Sequence, residues 1–176
     1  MYSFDRDRQL QSRTIFLRQS IDDRVANETI SKLIYLAIAD RDLPIQLYIN
    51  TTSGSIAAGL AIYDTIQSLQ VAVQTTCMGS ADGIGSLLLA SGSTGNRSAQ
   101  PHARIRLALA DAALTGGTAR EIETASRAVF RQRQILYELY AQATGQSIEQ
   151  IAEDTANREF LSAAQAQVYG LIDRLL

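Results

Sequence analysis

One cysteine, one histidine, two prolines and no tryptophan occur in 176 residues. The lone thiol, Cys77, excludes a disulfide within the chain and any CxxC metal or redox site. It ends the apolar run from Val71, where a free thiol behaves as a small buried hydrophobe. No metal or cofactor is expected. Lysine is almost missing too: Lys32 is the only one, and arginine carries the rest of the positive charge. The formal net charge is -2 with a pI near 5.4, so no broad basic face exists, and neither nucleic acid nor an anionic membrane is expected as a partner. No segment approaches the roughly 20 apolar residues that a membrane span needs. The N-terminal stretch from Met1 to Arg13 lacks the apolar core of a signal peptide. A cytoplasmic or organelle-lumen location is therefore expected.

What remains is ordinary globular material. Hydrophobic residues make up 46% and charged residues 19%, as in soluble domains with one packed core. The length fits a single domain.

Short β-type runs alternate with longer helical ones. Thr14 to Leu17 reads as a strand, and Asp22 to Ala39 as a helix with Val25, Ile30, Leu33, Ile34 and Leu36 clustered on one side. Ile45 to Ile49 reads as a second strand, Asn50 to Ser55 as a turn, and Ile56 to Leu69 as a second amphipathic helix. Val71 to Cys77 reads as a third strand. The stretch Gly79 to Gly83 then opens a third helix with the apolar run Ile84 to Ala90. Ser91 to Gln100 reads as a polar loop, and Arg104 to Ala110 as a further strand. From Thr118 to Thr144 the spacing of Ile122, Ala125, Val129, Leu136, Leu139 and Ala143 predicts one long helix, about 40 Å at 1.5 Å per residue. Such a helix projects from a small core and needs a partner surface. Ser147 to Asp154 reads as a short helix entered through a Ser147–Gln150 capping box. Ser162 starts another, and Val168 to Leu176 closes the chain. The β-α-β-α order argues for an α/β fold with a largely parallel sheet covered by helices.

Two turns follow a strand and lead into a helix, where open α/β sheets place their sites. One is Asn50 to Ser55; the other is Met78 to Ser86. Backbone N–H groups at such helix starts favour anions or a developing oxyanion. Glycines also occur at such turns for backbone reasons alone.

A set of motifs goes further. Leu47-Tyr48-Ile49-Asn50, Ile62-Tyr63-Asp64-Thr65, Cys77-Met78-Gly79, Gly145-Gln146-Ser147, Asp154-Thr155, Phe160-Leu161-Ser162-Ala163 and Tyr169-Gly170-Leu171-Ile172-Asp173 resemble the proteolytic subunit family of the Clp protease, ClpP, in order and at close to family spacing. The resemblance runs from about Arg13 to Leu176. It implies a crotonase/ClpP-like spiral of β-α-β units with a projecting handle helix. The head would comprise residues 1–110 and 145–176 and the handle about 111–144. It also implies seven-membered rings that stack face to face around a proteolytic chamber fed by an AAA+ unfoldase.

The family's catalytic positions fall on residues that cannot carry the chemistry. The nucleophilic serine, in the turn after Cys-Met-Gly, corresponds to Gly83. The histidine, counted from Pro101 and Arg104, corresponds to Ala108. The aspartate, between Asp154-Thr155 and Phe160-Leu161-Ser162, corresponds to Arg158, with Asn157 and Glu159 beside it. His102 lies six residues before Ala108, roughly 20 Å along an extended strand. Ser80 and Ser86 flank Gly83 with no histidine or lysine base nearby, and a serine needs one within hydrogen-bond reach. Asp82 would oppose an oxyanion about 5 Å away by about 3 kcal/mol at an effective dielectric near 20, if its side chain faces the site. Arg158 is a candidate to neutralise Asp82, Asp111 or Glu159. The family's oxyanion donors correspond to the backbone N–H groups of Gly54 and Ile84, which side-chain loss leaves untouched.

The cleft that receives unfoldase loops in the family corresponds to Gln46, Tyr48, Ser68, Thr76, Met78, Ser98 and Gln100, several of them polar. Apolar anchors carry the energy at such pockets, so docking through this chain is expected to be weak. Only about a dozen residues precede the first strand, which implies a short axial loop. An arginine beside the family's aspartate couples ring stacking to activity; its counterpart is Asn157. The reading is a catalytically inactive, ClpR-type subunit with a structural or regulatory role, in rings with itself or an active paralogue that receives the unfoldase. Two alternatives stand: a homo-oligomeric, non-enzymatic scaffold or peptide-binding protein, and a crotonase-like acyl-CoA enzyme.

Overall fold

A parallel sheet forms because each apolar strand run is followed by a helix that carries the chain back over the same face. The computed structural model describes residues 10–107 and 118–176. Strands β1 (Thr14–Leu17), β2 (Ile45–Thr51), β3 (Val73–Asp82), β4 (Arg97–Ala99) and β7 (Arg174–Leu175) lie side by side in that order, all parallel. The second half of β3 leaves β4 and pairs instead with β5 (Arg104–Arg106), which pairs antiparallel with β6 (Leu161–Ser162). One strand thus belongs to two directions of the sheet, and its far end carries the candidate site.

Helices α1 (Asp23–Ala39), α2 (Ile56–Ser68) and α3 (Ile84–Ala90) cover the face on which Ile15, Leu17, Leu47, Ile49 and Cys77 are buried. In α1 the buried residues Val25, Ala26, Thr29, Leu33 and Leu36 recur at three- and four-residue spacing, which makes one apolar side. Fully burying Leu33 and Leu36 contributes roughly 1.5–3 kcal/mol each. The Asp22 carboxylate starts the helix by accepting from the Val25 N–H at 2.7 Å. The Arg13 guanidinium closes its far end, donating to the carbonyls of Asp40, Leu43 and Pro44.

Helix α4 (Ala119–Thr144) is capped by Thr118 and Glu121 in a full capping box and ends at Gly145. At 26 residues it is about 39 Å long. Only its last turns reach the core, where Leu136 and Tyr140 are buried; from Arg120 to Ile135 every residue but Val129 is exposed. This is the projecting helix that the spacing predicts. Helices α5 (Ile148–Asn157) and α6 (Ala163–Tyr169) follow. Among the described residues no helix is long and apolar enough to cross a membrane.

Four expectations change. Strand β3 runs to Asp82, not Cys77, because pairing with β5 overrides the turn-like Gly79-Ser80 pair. The expected loop Ser91 to Gln100 contains β4, and the closing segment contains β7; the two pair with each other. The strand expected over Arg104 to Ala110 is observed from Arg104 to Arg106, and Ala108 to Ala110 lie outside the described residues. Ser147 does cap α5, but the Gln150 side chain turns forward to Asp154 and not back to the cap, so the expected box is half made. Full boxes stand at Thr118 with Glu121 and at Ser162 with Gln165.

Candidate functional site

The end of β3 and the start of α3 make a sharp elbow, Ala81-Asp82-Gly83-Ile84-Gly85. Its apex, Gly83, has φ 56° and ψ -122°, a combination that only glycine adopts without strain. Serine nucleophiles of α/β hydrolases sit on strained strand-to-helix turns of this kind. The elbow is therefore built in full, and the residue at its apex carries no side chain.

Ile84 sinks its side chain into a notch where a Cβ on Gly54 or Gly59 would collide with it. The structure thus brings together Gly54 and Ile84, the two expected backbone donors. The N–H of Ile84 lies in the first turn of α3, where amides have no partner within the helix.

The floor of the elbow is sealed by hydrogen bonds. The Gly83 N–H donates to the Arg106 carbonyl at 3.1 Å. The Ser86 hydroxyl lies 2.8 Å from the Gly83 carbonyl, 2.9 Å from that of Arg106 and 2.7 Å from the Tyr140 hydroxyl. Tyr140, at the base of α4, reaches the Gly83 carbonyl at 2.8 Å. Burial pushes its phenol far above the usual range, and the hydrogen bond with Ser86 opposes this only in part. Ser86 is thus committed to structure. Ser80 instead stands where its backbone N–H meets the Asn50 side chain at 3.2 Å. His102 is exposed in the turn before β5.

Asp82 is 4% exposed, and its carboxylate is taken by Arg106: Nε lies 2.9 Å from Oδ1 and Nη2 lies 2.5 Å from Oδ2. The two residues face each other across the β3–β5 register. Their hydrogen bonds hold the Arg106 guanidinium more firmly protonated than usual. The Asp82 carboxylate is thus held in a forked pair with Arg106; the sequence offers Arg158 as a candidate to neutralise Asp82, Asp111 or Glu159, and the arginine that forks Asp82 is Arg106. Arg158 lies exposed in a left-handed turn, φ 54°, after the last residue of α5. Asn157 and Glu159 beside it line a cavity of about 330 Å³ with Leu107, Gln146, Gln150, Asp154, Leu161 and Tyr169. Ala108 and Asp111, the remaining positions of interest, lie outside the described residues.

The sequence points to no role for Arg106 or Tyr140, and Phe160 enters it only as part of a motif. The alternation Arg104-Ile105-Arg106 does place both arginines on one side of a strand. Their partners come from other segments, so only the register reveals them.

Three of the seven expected cleft positions share a row of the sheet. Tyr48, Thr76 and Ser98 are cross-strand neighbours in one row, with Phe16 before them and Arg174 after. Phe16 stacks on Tyr48 at 5.2 Å, and the Arg18 guanidinium lies over Phe16. The polar members satisfy each other: Gln46 donates to Gln74 at 2.6 Å, and the hydroxyls of Thr76 and Ser98 lie 2.9 Å apart. Met78 is half-buried, whereas Ser68 and Gln100 are exposed.

The Clp protease family model matches residues 3–176. Members of this family are serine protease subunits that form stacked rings served by AAA+ unfoldases. The mixed α/β architecture, the elbow after a long parallel strand and the projecting helix agree with that match. The chain belongs to the Clp protease family.

Proposed function

We propose that this chain is a catalytically inactive, ClpR-type subunit with a structural or regulatory role in a Clp-type ATP-dependent protease, seated in seven-membered stacked rings with an active paralogue. One observation carries the reading: a complete elbow presents Gly83, a residue with nothing to attack a carbonyl. The neighbouring hydroxyl that could stand in, Ser86, is bonded on all sides. The backbone donors Gly54 and Ile84 are relics in this reading, and Arg158 reverses the charge of the orienting group. The head, residues 1–110 and 145–176, builds the ring, and the handle, about 111–144, meets other subunits. The complex works in the cytoplasm or an organelle lumen. The active partner receives the unfoldase, because the row of Tyr48, Thr76 and Ser98 carries two buried, mutually bonded hydroxyls in place of apolar anchors.

The test has two arms. The purified chain should neither cleave fluorogenic peptides nor be labelled by a serine-reactive phosphonate; labelling at Ser80 or Ser86 would overturn the inactive assignment. Complexes isolated from the native cell should contain a second ClpP-like chain with an intact Ser-His-Asp set. Rings of this chain alone would favour the homo-oligomeric scaffold, whose support is the exposed length of α4.

A further inference from the structure

Beside the elbow, four side chains from three segments form a continuous stack. Asp82, at the end of β3, is forked by Arg106 of β5. The Arg106 guanidinium also lies 4.3 Å from the centroid of the Phe160 ring, just before β6. Arg104, two residues back along β5, lies 4.2 Å from the same centroid. Phe160 is thus held by two guanidiniums, one of them locked to a buried carboxylate.

We infer that this Asp82–Arg106–Phe160–Arg104 stack is a clamp that ties the elbow to the segment Arg158–Ser162 and fixes that segment in one conformation. Leu161 packs against the core and Ser162 caps α6, and the clamp adds a tie from the segment to the elbow. Strand β6 contributes two register pairs to β5, Arg104 with Ser162 and Ile105 with Leu161. The segment opens with Arg158 in a left-handed turn that costs energy for a residue with a Cβ. It also joins α5 to α6, so its position sets where both helices lie. A forked guanidinium–carboxylate pair is directional, and a guanidinium over a ring is planar. Together they define an orientation, which a single ion pair would not. The clamp spans the places where the family's serine and aspartate fall, at Gly83 and Arg158, and in this chain it joins them without catalytic groups. The inference rests on contacts alone and stands whether or not the chain proves active.

Hydrogen exchange of the full-length protein, read by mass spectrometry, tests it. Arg106→Met should speed exchange of the amides from 158 to 162 at least tenfold and leave the stretch from Asp23 to Ser68 at the wild-type rate. Arg106→Lys keeps the charge but not the fork or the plane, so it should behave like the Met variant. Phe160→Leu should loosen the same segment with the Asp82–Arg106 pair intact. Because Arg106→Met strands a buried carboxylate and invites misfolding, the double variant Asp82→Ala/Arg106→Met is the control. It removes both charges and should still exchange fast at 158–162 alone. Unchanged exchange there in the double variant, or acceleration spread evenly into Asp23–Ser68, would overturn the clamp.

Discussion

Gly83 and Asp173 show how single residues hold positions that no other type fills equally well. At φ 56° and ψ -122° any residue with a Cβ is strained, at a cost of about 1–3 kcal/mol. Gly83→Ser and Gly83→Ala should therefore lose similar stability in urea unfolding, and Gly83→Ser alone should gain no peptidase activity. Turnover by that single variant would show that the other two degenerate positions are misplaced. Asp173 binds the Arg97 guanidinium through both oxygens, at 2.6 and 3.1 Å, and Arg97 also donates to the Ala143 carbonyl at the end of α4. Burial alone would raise the Asp173 carboxyl, but the hydrogen bonds and charge of Arg97 outweigh it and hold the carboxyl below its ordinary value of 3.8. A carboxyl lowered in the folded state adds stability above its unfolded value, and that contribution fades as pH falls through the folded one. Asp173→Asn should cost about 3 kcal/mol near neutrality. The gap to wild type should narrow as pH drops below about 4 in a pH series of urea melts. A constant gap would mean that the charge contributes nothing.

At the scale of elements, what was legible followed local rules, and what was hidden needed a partner strand. The amphipathic spacing of α1 and α2, the long α4, the cap at Ser147 and the helix start at Ser162 were all readable, since each is specified within a few turns of chain. The extension of β3 past Gly79 was not, because Ser80, Ala81 and Asp82 become strand only by pairing with Arg104, Ile105 and Arg106. Strands β4 and β7 were missed for the same reason: each is short, polar at its start, and paired to the other across a long stretch of chain, Ser98 with Arg174. The site divides likewise. The elbow, Gly54 and Ile84 could be placed by motif, whereas the partner of Asp82 could not, because Arg106 meets it only through the sheet. The row that crosses these strands is testable in its own right. Thr76 and Ser98 are both buried and bond each other. Ser98→Ala should cost about 1–2 kcal/mol by leaving the Thr76 hydroxyl unmet, Thr76→Val should cost less because the Ser98 hydroxyl keeps the Thr75 carbonyl, and the double variant should cost less than the sum. Additive losses in a denaturant double-mutant cycle would show that the pair is incidental.

For the whole molecule the decisive imbalance lies in α4. Its head-proximal turns are fixed by Leu136 and by Tyr140, whose hydroxyl reaches under the elbow to Gly83. Among the described residues its outer turns have no such support: Ile122 is 41% exposed and Phe130 77%. A helical segment of this length is marginal in water on its own, because nucleation is costly and packing supplies most helical stability. The capping box at Thr118 and the Glu123–Arg127 pair give only modest local support; an exposed ion pair of this type adds about 0.3–0.5 kcal/mol. The outer turns should therefore be protected only when another subunit covers them. Hydrogen exchange of residues 119–130 should slow by at least tenfold when the protein is assembled and return to the fast rate on dilution to monomer. The segment that ends at Tyr140 should stay protected in both states. Phe130→Ser, at a site 77% exposed, should leave the monomer melt within about 0.5 kcal/mol of wild type. It should shift the size distribution in sedimentation toward smaller species. Equal protection of 119–130 at every dilution would mean that the outer turns of α4 stand alone, and the case for assembly through this helix would fail.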